Sequence, residues 1–386
     1  MLLLGQLSLI LLMTLFLGQL STYFHLPAVV GQLLSGLLLG PAILNVIHLD
    51  SLLEAFAQLG IFFLMFAAGL ESNLKQLKTY FRLSFVIAAT GVLLPVILIG
   101  AAGLGFGLTL PAALFIGVVF SATSVSISAE VLKENAQLTS RAGTAIFGAA
   151  VVDDVLAVIV LSVFMAIFPL SDATPSASST DLLQKIGLQT GYFVFIWLLF
   201  KFLIPHISTW MRRQPAFSGI WPTLGLIFGF GLAWLAETIG LSNVVGAFFG
   251  GLLLSQTPLK IELRPKIDTI GNLLFIPVFF ASIGLTMTLE SLGQDLAFIL
   301  ILTLLALMTK FWAGQWGSRL FGLSKNEAAI VGAGMVSRGE VALIVAQIGH
   351  TAHLFPETIY SSLIMAILLT TLISPLLLQH FIKKGA

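Results

Sequence analysis

Apolar residues run along this chain in blocks separated by charges or by Pro and Gly, and each block approaches the ~20 residues that an α-helix needs to cross a hydrocarbon core. Reading the blocks between those breaks predicts thirteen spans, near 3–22, 26–45, 52–70, 82–104, 110–132, 141–168, 187–206, 219–238, 241–257, 268–286, 296–318, 326–349 and 356–380. The expected fold class is therefore an all-α polytopic membrane protein, because lipid offers the backbone no partners and a helix satisfies its own. No basic residue precedes the first block and no small-x-small site follows it, so a retained helix is expected there rather than a signal peptide. The longest polar connection, SDATPSASSTDLLQK from Ser171 to Lys185, reads as an exposed flexible loop.

Composition narrows the class. Hydrophobic residues make up 58% and charged residues 9%, with a mean hydropathy of +1.05, far from the ~25% charge of soluble domains. A net charge of +1 implies no nucleic-acid partner, and the absence of cysteine removes disulfides, thiolate metal sites and cysteine nucleophiles together. Fifteen of the eighteen Lys and Arg residues, among them Lys75, Arg82, Arg141, Arg264 and Lys383, fall on one side of the thirteen-span arrangement. Positively charged loops stay cytoplasmic, which places the N-terminus outside and the C-terminus inside; an inner (plasma) membrane fits this pattern.

An internal repeat lies beneath the spans. LPAVVGQLLSGLLLGP from Leu26 realigns with LSNVVGAFFGGLLLSQ from Leu241, an offset of 215 residues that also carries Gly31 to Gly246, Gly36 to Gly251, Gly69 to Gly284 and Gly117 to Gly332. An odd number of spans separates the matched pairs, so equivalent helices run in opposite directions. Two inverted six-helix units, spans 1–6 and 8–13, joined by span 7, are expected. Inverted repeats of this kind build transporters whose sites lie near the midplane at interrupted helices.

Two such interruptions are readable. Span 5 contains GVVFSATSVSISAEVL, which places Ser121, Thr123, Ser124, Ser126 and Ser128 at lipid depth; span 12 answers at the repeat offset with GAGMVSRGEVALIV. Small residues also serve close helix packing, but here they accompany intramembrane charge. Asp153 and Asp154 sit in the otherwise apolar VVDDVLAVIVLSVFMAIF, and Lys310, Arg338 and Glu340 lie within later spans. An acid at the centre of a span costs ~2.5–3.5 kcal/mol on insertion scales, so each needs a reason. Consecutive residues diverge by about 100° on a helix, so Asp153 and Asp154 cannot share one neighbour. One can face a cation while the other faces Lys310, which is too deep to reach an interface. Arg338 and Glu340 point apart on a regular helix but can pair on an unwound segment and offset helix-end dipoles.

These parts suggest exchange. Carboxylates that hold either protons or a small cation lose one when they gain the other, and a bare site is penalised in low dielectric, which suppresses leak. A cation channel would need a filter-like carbonyl ring that the sequence does not offer. An intramembrane aspartyl protease needs its acids on separate helices. A sodium-coupled organic-anion symporter shares the architecture but does not require adjacent acids with a lysine.

The paired aspartates in AAVVDDVLAV, the preceding FSATSVSISAEVL, Lys310 and the late SRGEVALIVAQIG together resemble the monovalent cation:proton antiporter-2 family, its NapA-type sodium/proton branch, over essentially the whole chain. The resemblance implies a fold with crossed discontinuous helices and no enzymatic activity. It implies Asp153 in a salt bridge with Lys310, Asp154 as the principal Na+ ligand, and Thr123 and Ser124 at the crossing as further ligands. It also implies scaffold and dimer-forming helices at 1–81 and 219–290, a moving core at 82–170 and 291–382, a linker helix at 186–206 and a homodimer. Exchange of cytoplasmic Na+ (or Li+) for external H+, electrogenic and without cofactor, is the expected activity; K+/H+ exchange or a K+ efflux protein is the alternative. Kef-type relatives carry a cytosolic nucleotide-binding domain after the last span, so Kef-type ligand gating is not expected for a chain written to Ala386.

Overall fold

The computed structural model describes residues 3–24, 27–71, 81–124, 128, 131–132, 135, 137, 140–168, 179–213, 219–239, 241–287 and 295–385. Side chains are not described at 151, 166, 179–186, 208, 211–213, 340 and 385. Among the described residues the structure is helical, with no strand. The helices are α1 (Leu3–Tyr23), α2 (Ala28–Leu39), α3 (Ser51–Glu71), α4 (Phe81–Gly105), α5 (Leu110–Val119) and α6 (Arg141–Ile167). Then follow α7 (Ser179–Leu198, continuing to Arg213), α8 (Trp221–Thr238), α9 (Asn243–Leu254), α10 (Leu259–Leu285) and α11 (Leu296–Leu320). The chain ends with α12 (Lys325–Gly334), α13 (Glu340–Thr351) and α14 (Glu357–Gly385). Eight of the described helices are long and apolar enough to cross a membrane; α2, α5, α9 and most of α13 are shorter apolar helices.

Glycines set the closest approaches. A Cβ on Gly36 of α2 would overlap the Ala281 carbonyl of α10, and one on Gly284 of α10 would overlap the Leu33 carbonyl of α2. Gly69 of α3 meets the Phe248 carbonyl of α9, and Gly251 of α9 meets the Phe66 carbonyl of α3. Each of these contacts maps onto another when 215 is added or subtracted: 33 to 248, 36 to 251, 66 to 281 and 69 to 284. The same shift turns the contact of Gly31 with Leu17 into that of Gly246 with Leu232. Without Cβ atoms the backbones come together as small residues allow in membranes.

Several boundaries differ from the sequence reading. Helix α7 begins at Ser179, so the last seven residues of the expected Ser171–Lys185 loop are helical, and 169–178 lie outside the described residues. Thr180 and Asp181 suit a first turn, where acids and hydroxyls are favourable, a signal that an apolar-block reading passes over. Helix α2 is shorter than its block because Gly40 and Pro41 end it; the chain folds back so that Val46 and Ile47 N–H both donate to Leu39 O, at 3.0 and 2.9 Å. Helix α10 starts earlier than expected, since Lys260, Arg264 and Lys266 extend it as an ionised turn, where Arg264 pairs with Glu71 of α3. Both α7 and α10 pass through a π turn, Leu199–Leu203 and Gly271–Phe275, immediately before an Ile-Pro pair. Proline supplies no N–H for a regular turn, and the five-residue ring absorbs the mismatch.

Overpacking costs ~1–3 kcal/mol where nothing can yield, and backbone carbonyls yield least. Gly69→Ala is expected to lower the thermal unfolding midpoint in detergent by several degrees, whereas Gly231→Ala, with nothing within 4 Å of a built Cβ, should leave it unchanged; fluorescence-detected melting checks both.

Candidate functional site

Asp153 lies midway along α6, and Lys310 midway along α11, whose neighbours LAFILILTLLALMT supply nothing that could neutralise an ammonium. Lys310 Nζ donates to both carboxylate oxygens of Asp153, at 2.8 and 2.9 Å, and both residues have 0% exposure. Two charges removed from water are tolerable only in such a geometry. Helix α4 makes the space: Gly91 faces the lysine, and a Cβ there would come within 3.2 Å of Nζ. Asp154, the next residue on α6, is half-buried. The two carboxylates thus occupy different environments, one sealed in an ion pair and one partly open.

The interrupted helices meet nearby. Helix α5 ends at Val119, and residues 122–124 are non-helical; α12 ends at Gly334, and 336–339 are non-helical before α13 begins. The two breaks cross and bond. Ser124 N–H donates to Ser337 O at 2.9 Å, Ser337 Oγ donates back to Ser124 O, and Ser128 Oγ donates to Gly334 O at 2.6 Å. Gly339 is required here, because a Cβ would meet the Ser124 side chain at 2.5 Å. Thr123 is buried, and its Oγ1 has no hydrogen-bond partner among the described residues.

Arg338 is fully buried. Its Nη1 donates to Val336 O at 2.9 Å and to Met335 O at 3.4 Å, and its Nη2 donates to Ala306 O at 3.0 Å on α11. Met335 caps the C-terminus of α12, so the guanidinium sits where orphaned carbonyls concentrate negative potential. The Glu340 side chain, expected as its companion, lies outside the described residues, as does Ser126. Thr371 of α14 donates to Arg338 O at 2.7 Å and secures the break from a third side. Sequence reading missed Gly91 and Thr371, which carry no local signal; Ser337 stood within the interrupted motif of span 12 and was legible there.

A cavity of about 350 Å³ reaches the crossing at Ser124 and Gly339. Its opposite wall comes from α2 and α10, including Gln32, Asn272 and Ile276, and neither aspartate lines it. A second cavity of about 320 Å³ lies towards the other ends of α3, α10 and α13, between Glu54, Gln58, Glu237, Asn243 and Gln347. The first space takes in Pro27 and Ala28 at the start of α2 and Leu64 in the later half of α3, whereas the second takes in Glu54 and Ala57 in the first half of α3, so the two reach α3 from opposite ends.

The profile of the family described as sodium/hydrogen exchanger, transmembrane, matches residues 8–384. A Na(+)/H(+) antiporter of Enterococcus hirae is 44% identical over 381 residues, covering 98% of each chain. A Bacillus cereus protein named Na(+)/H(+)-K(+) antiporter GerN is 36% identical over 375 residues, covering 97% of this chain and 95% of that one. Among solved structures, the sodium proton antiporter MjNhaP1 of Methanocaldococcus jannaschii has the same fold, with a TM-score of 0.78 at 18% identity and coverage of 99% and 98%. The profile spans nearly the whole multi-pass helical bundle, including both breaks and the buried Asp153–Lys310 pair: this chain belongs to the sodium/hydrogen exchanger family.

Proposed function

We propose that this protein exchanges cytoplasmic Na+ for external H+ by alternating access. The observation that carries the reading is the pair of adjacent carboxylates in unlike settings: Asp153 held dry against Lys310, Asp154 half-buried beside it. Asp154 is the cation ligand and proton acceptor, with Thr123 and Ser124 supplying neutral oxygens. Asp153 and Lys310 are the second proton-linked pair: cation binding draws Asp153 from Lys310 and releases a proton, which makes exchange electrogenic. Arg338 and Glu340 balance the helix ends at the crossing. The relatives named as Na(+)/H(+) antiporters support sodium as cargo. The printed name of the Bacillus cereus relative favours a second reading in which potassium is also carried.

The architecture proposed is thirteen spans in two inverted six-helix repeats, supported by the glycine contacts that recur at an offset of 215. Residues 1–81 and 219–290 act as scaffold and dimer interface, 82–170 and 291–382 as the moving core, and 186–206 as the linker. The protein forms a homodimer in the plasma membrane, N-terminus outside, and needs no cofactor beyond the ions it carries. Because the cavity at the crossing takes in Pro27 and Ala28, at the end of α2 that the positive-loop pattern places inside, this conformation is assigned as open to the cytoplasm.

Asp154→Asn is expected to abolish exchange in proteoliposomes under an imposed pH gradient; sodium-driven proton movement that persists would reject the assignment. Lys310→Ala is expected to keep exchange but lose its voltage dependence, since Asp153 then stays protonated. The same variant should lose about 3 kcal/mol or more of stability, the usual cost of breaking a buried pair. Solid-supported-membrane currents and thermal melting test the two statements separately, and unchanged current would count against Lys310 as proton carrier.

A further inference from the structure

The two cavities share a scaffold wall in a specific sense. Ala28, Val29, Leu64 and Ile276 line the first, and their equivalents at an offset of 215, Asn243, Val244, Phe279 and Ile61, line the second. Asn272 of the first cavity corresponds to Ala57 of the second. Shape is repeated while chemistry differs. The first cavity carries the uncharged amides Gln32 and Asn272; the second carries the carboxylates Glu54 and Glu237 beside Gln58 and Asn243.

We infer that Asn272, assisted by Gln32, is a scaffold-side cation site in the first cavity, where Na+ exchanges part of its water shell before it reaches the crossing. The inference rests on the exchange reading above and extends it to the half of the protein that carries no charged site residue. Three observations support it. Both amides line the space that reaches Ser124 and Gly339, and neither side chain has a hydrogen bond to any described residue. Asn272 is exposed and Gln32 half-buried, so both carboxamides are open to water and to a cation that enters this cavity. Packing does not call for the amides, since the equivalent positions hold Ala57 and Ala247. Pro277 accounts for the π turn that contains Asn272, but it does not account for a polar residue within GNLLFIPVFF.

The chemistry follows from the group. An amide oxygen is a neutral acceptor that can replace one water of a monovalent cation, and it does not titrate near neutral pH. It therefore acts on the sodium limb of the exchange and leaves the proton limb alone. A carboxylate in the same place would bind both and blur the competition at Asp154.

The test compares faces. Apparent KM for Na+ would be measured in everted and in right-side-out membrane vesicles, with the wild type and Asp154→Asn as references. Asn272→Ala is expected to raise the KM about fivefold at the face of the first cavity, equivalent to losing one modest polar contact. At the opposite face the KM should stay within about twofold, and the pH profile should not move. Asn272→Asp, which keeps the size, is expected to lower the KM at that same face and to shift the pH profile. An unchanged KM in both variants, or equal changes at both faces, would overturn the site while leaving exchange intact. No exchange by the wild type at either face would overturn the exchange reading and the site together.

Discussion

A charge held at hydrocarbon depth must be answered by another charge or by oriented dipoles, and much of this structure can be read as the answer. Asp153 and Lys310 answer each other at 2.8 Å with no exposure at all. Arg338 is answered by carbonyls that the break in helix α12 leaves without intrahelical donors. The two solutions depend on one another through α11, which presents Lys310 to Asp153 and, one turn earlier, Ala306 O to Arg338. Removing one partner of the Asp153–Lys310 pair leaves the other to be neutralised or to stay uncompensated in low dielectric, which is costly.

Around that unit the packing is made by absence of side chains. The tight contacts of α2 with α10 and of α3 with α9 rest on glycines whose Cβ positions are filled by a neighbour's backbone. Such contacts are rigid. The face between these helices and the broken ones is different, for it holds both cavities, one of which reaches the helix breaks at Ser124 and Gly339. A stiff frame beside a hollow seam is the arrangement in which one body can slide against another without disturbing either interior.

Glycine contacts recur at an offset of 215 residues, but the charges do not. Lys310 occupies the place that Pro95 takes in the first half, and Arg338 the place of Thr123. Several lining residues of the two cavities correspond at that offset, while their polar groups differ.

Much of this was legible in the chain. Apolar block lengths located nearly every helix, the offset of 215 located the glycines that touch, and the cost of charge in lipid singled out Asp153, Asp154, Lys310 and Arg338. Helix ends were less legible: α7 and α10 extend through polar turns that an apolar block does not mark, and α2 stops short within one. Sequence by itself determined the membrane-spanning class and the need for a lysine-carboxylate pair, because burial of charge is a local cost that any arrangement must meet. The family resemblance already implied Asp153 as the partner of Lys310; only tertiary structure decided that Arg338 bonds the carbonyls of Met335, Val336 and Ala306, and that Gly91 and Thr371 stand against these charges. Those choices depend on which helix faces meet across more than a hundred residues of chain, and no local pattern records them.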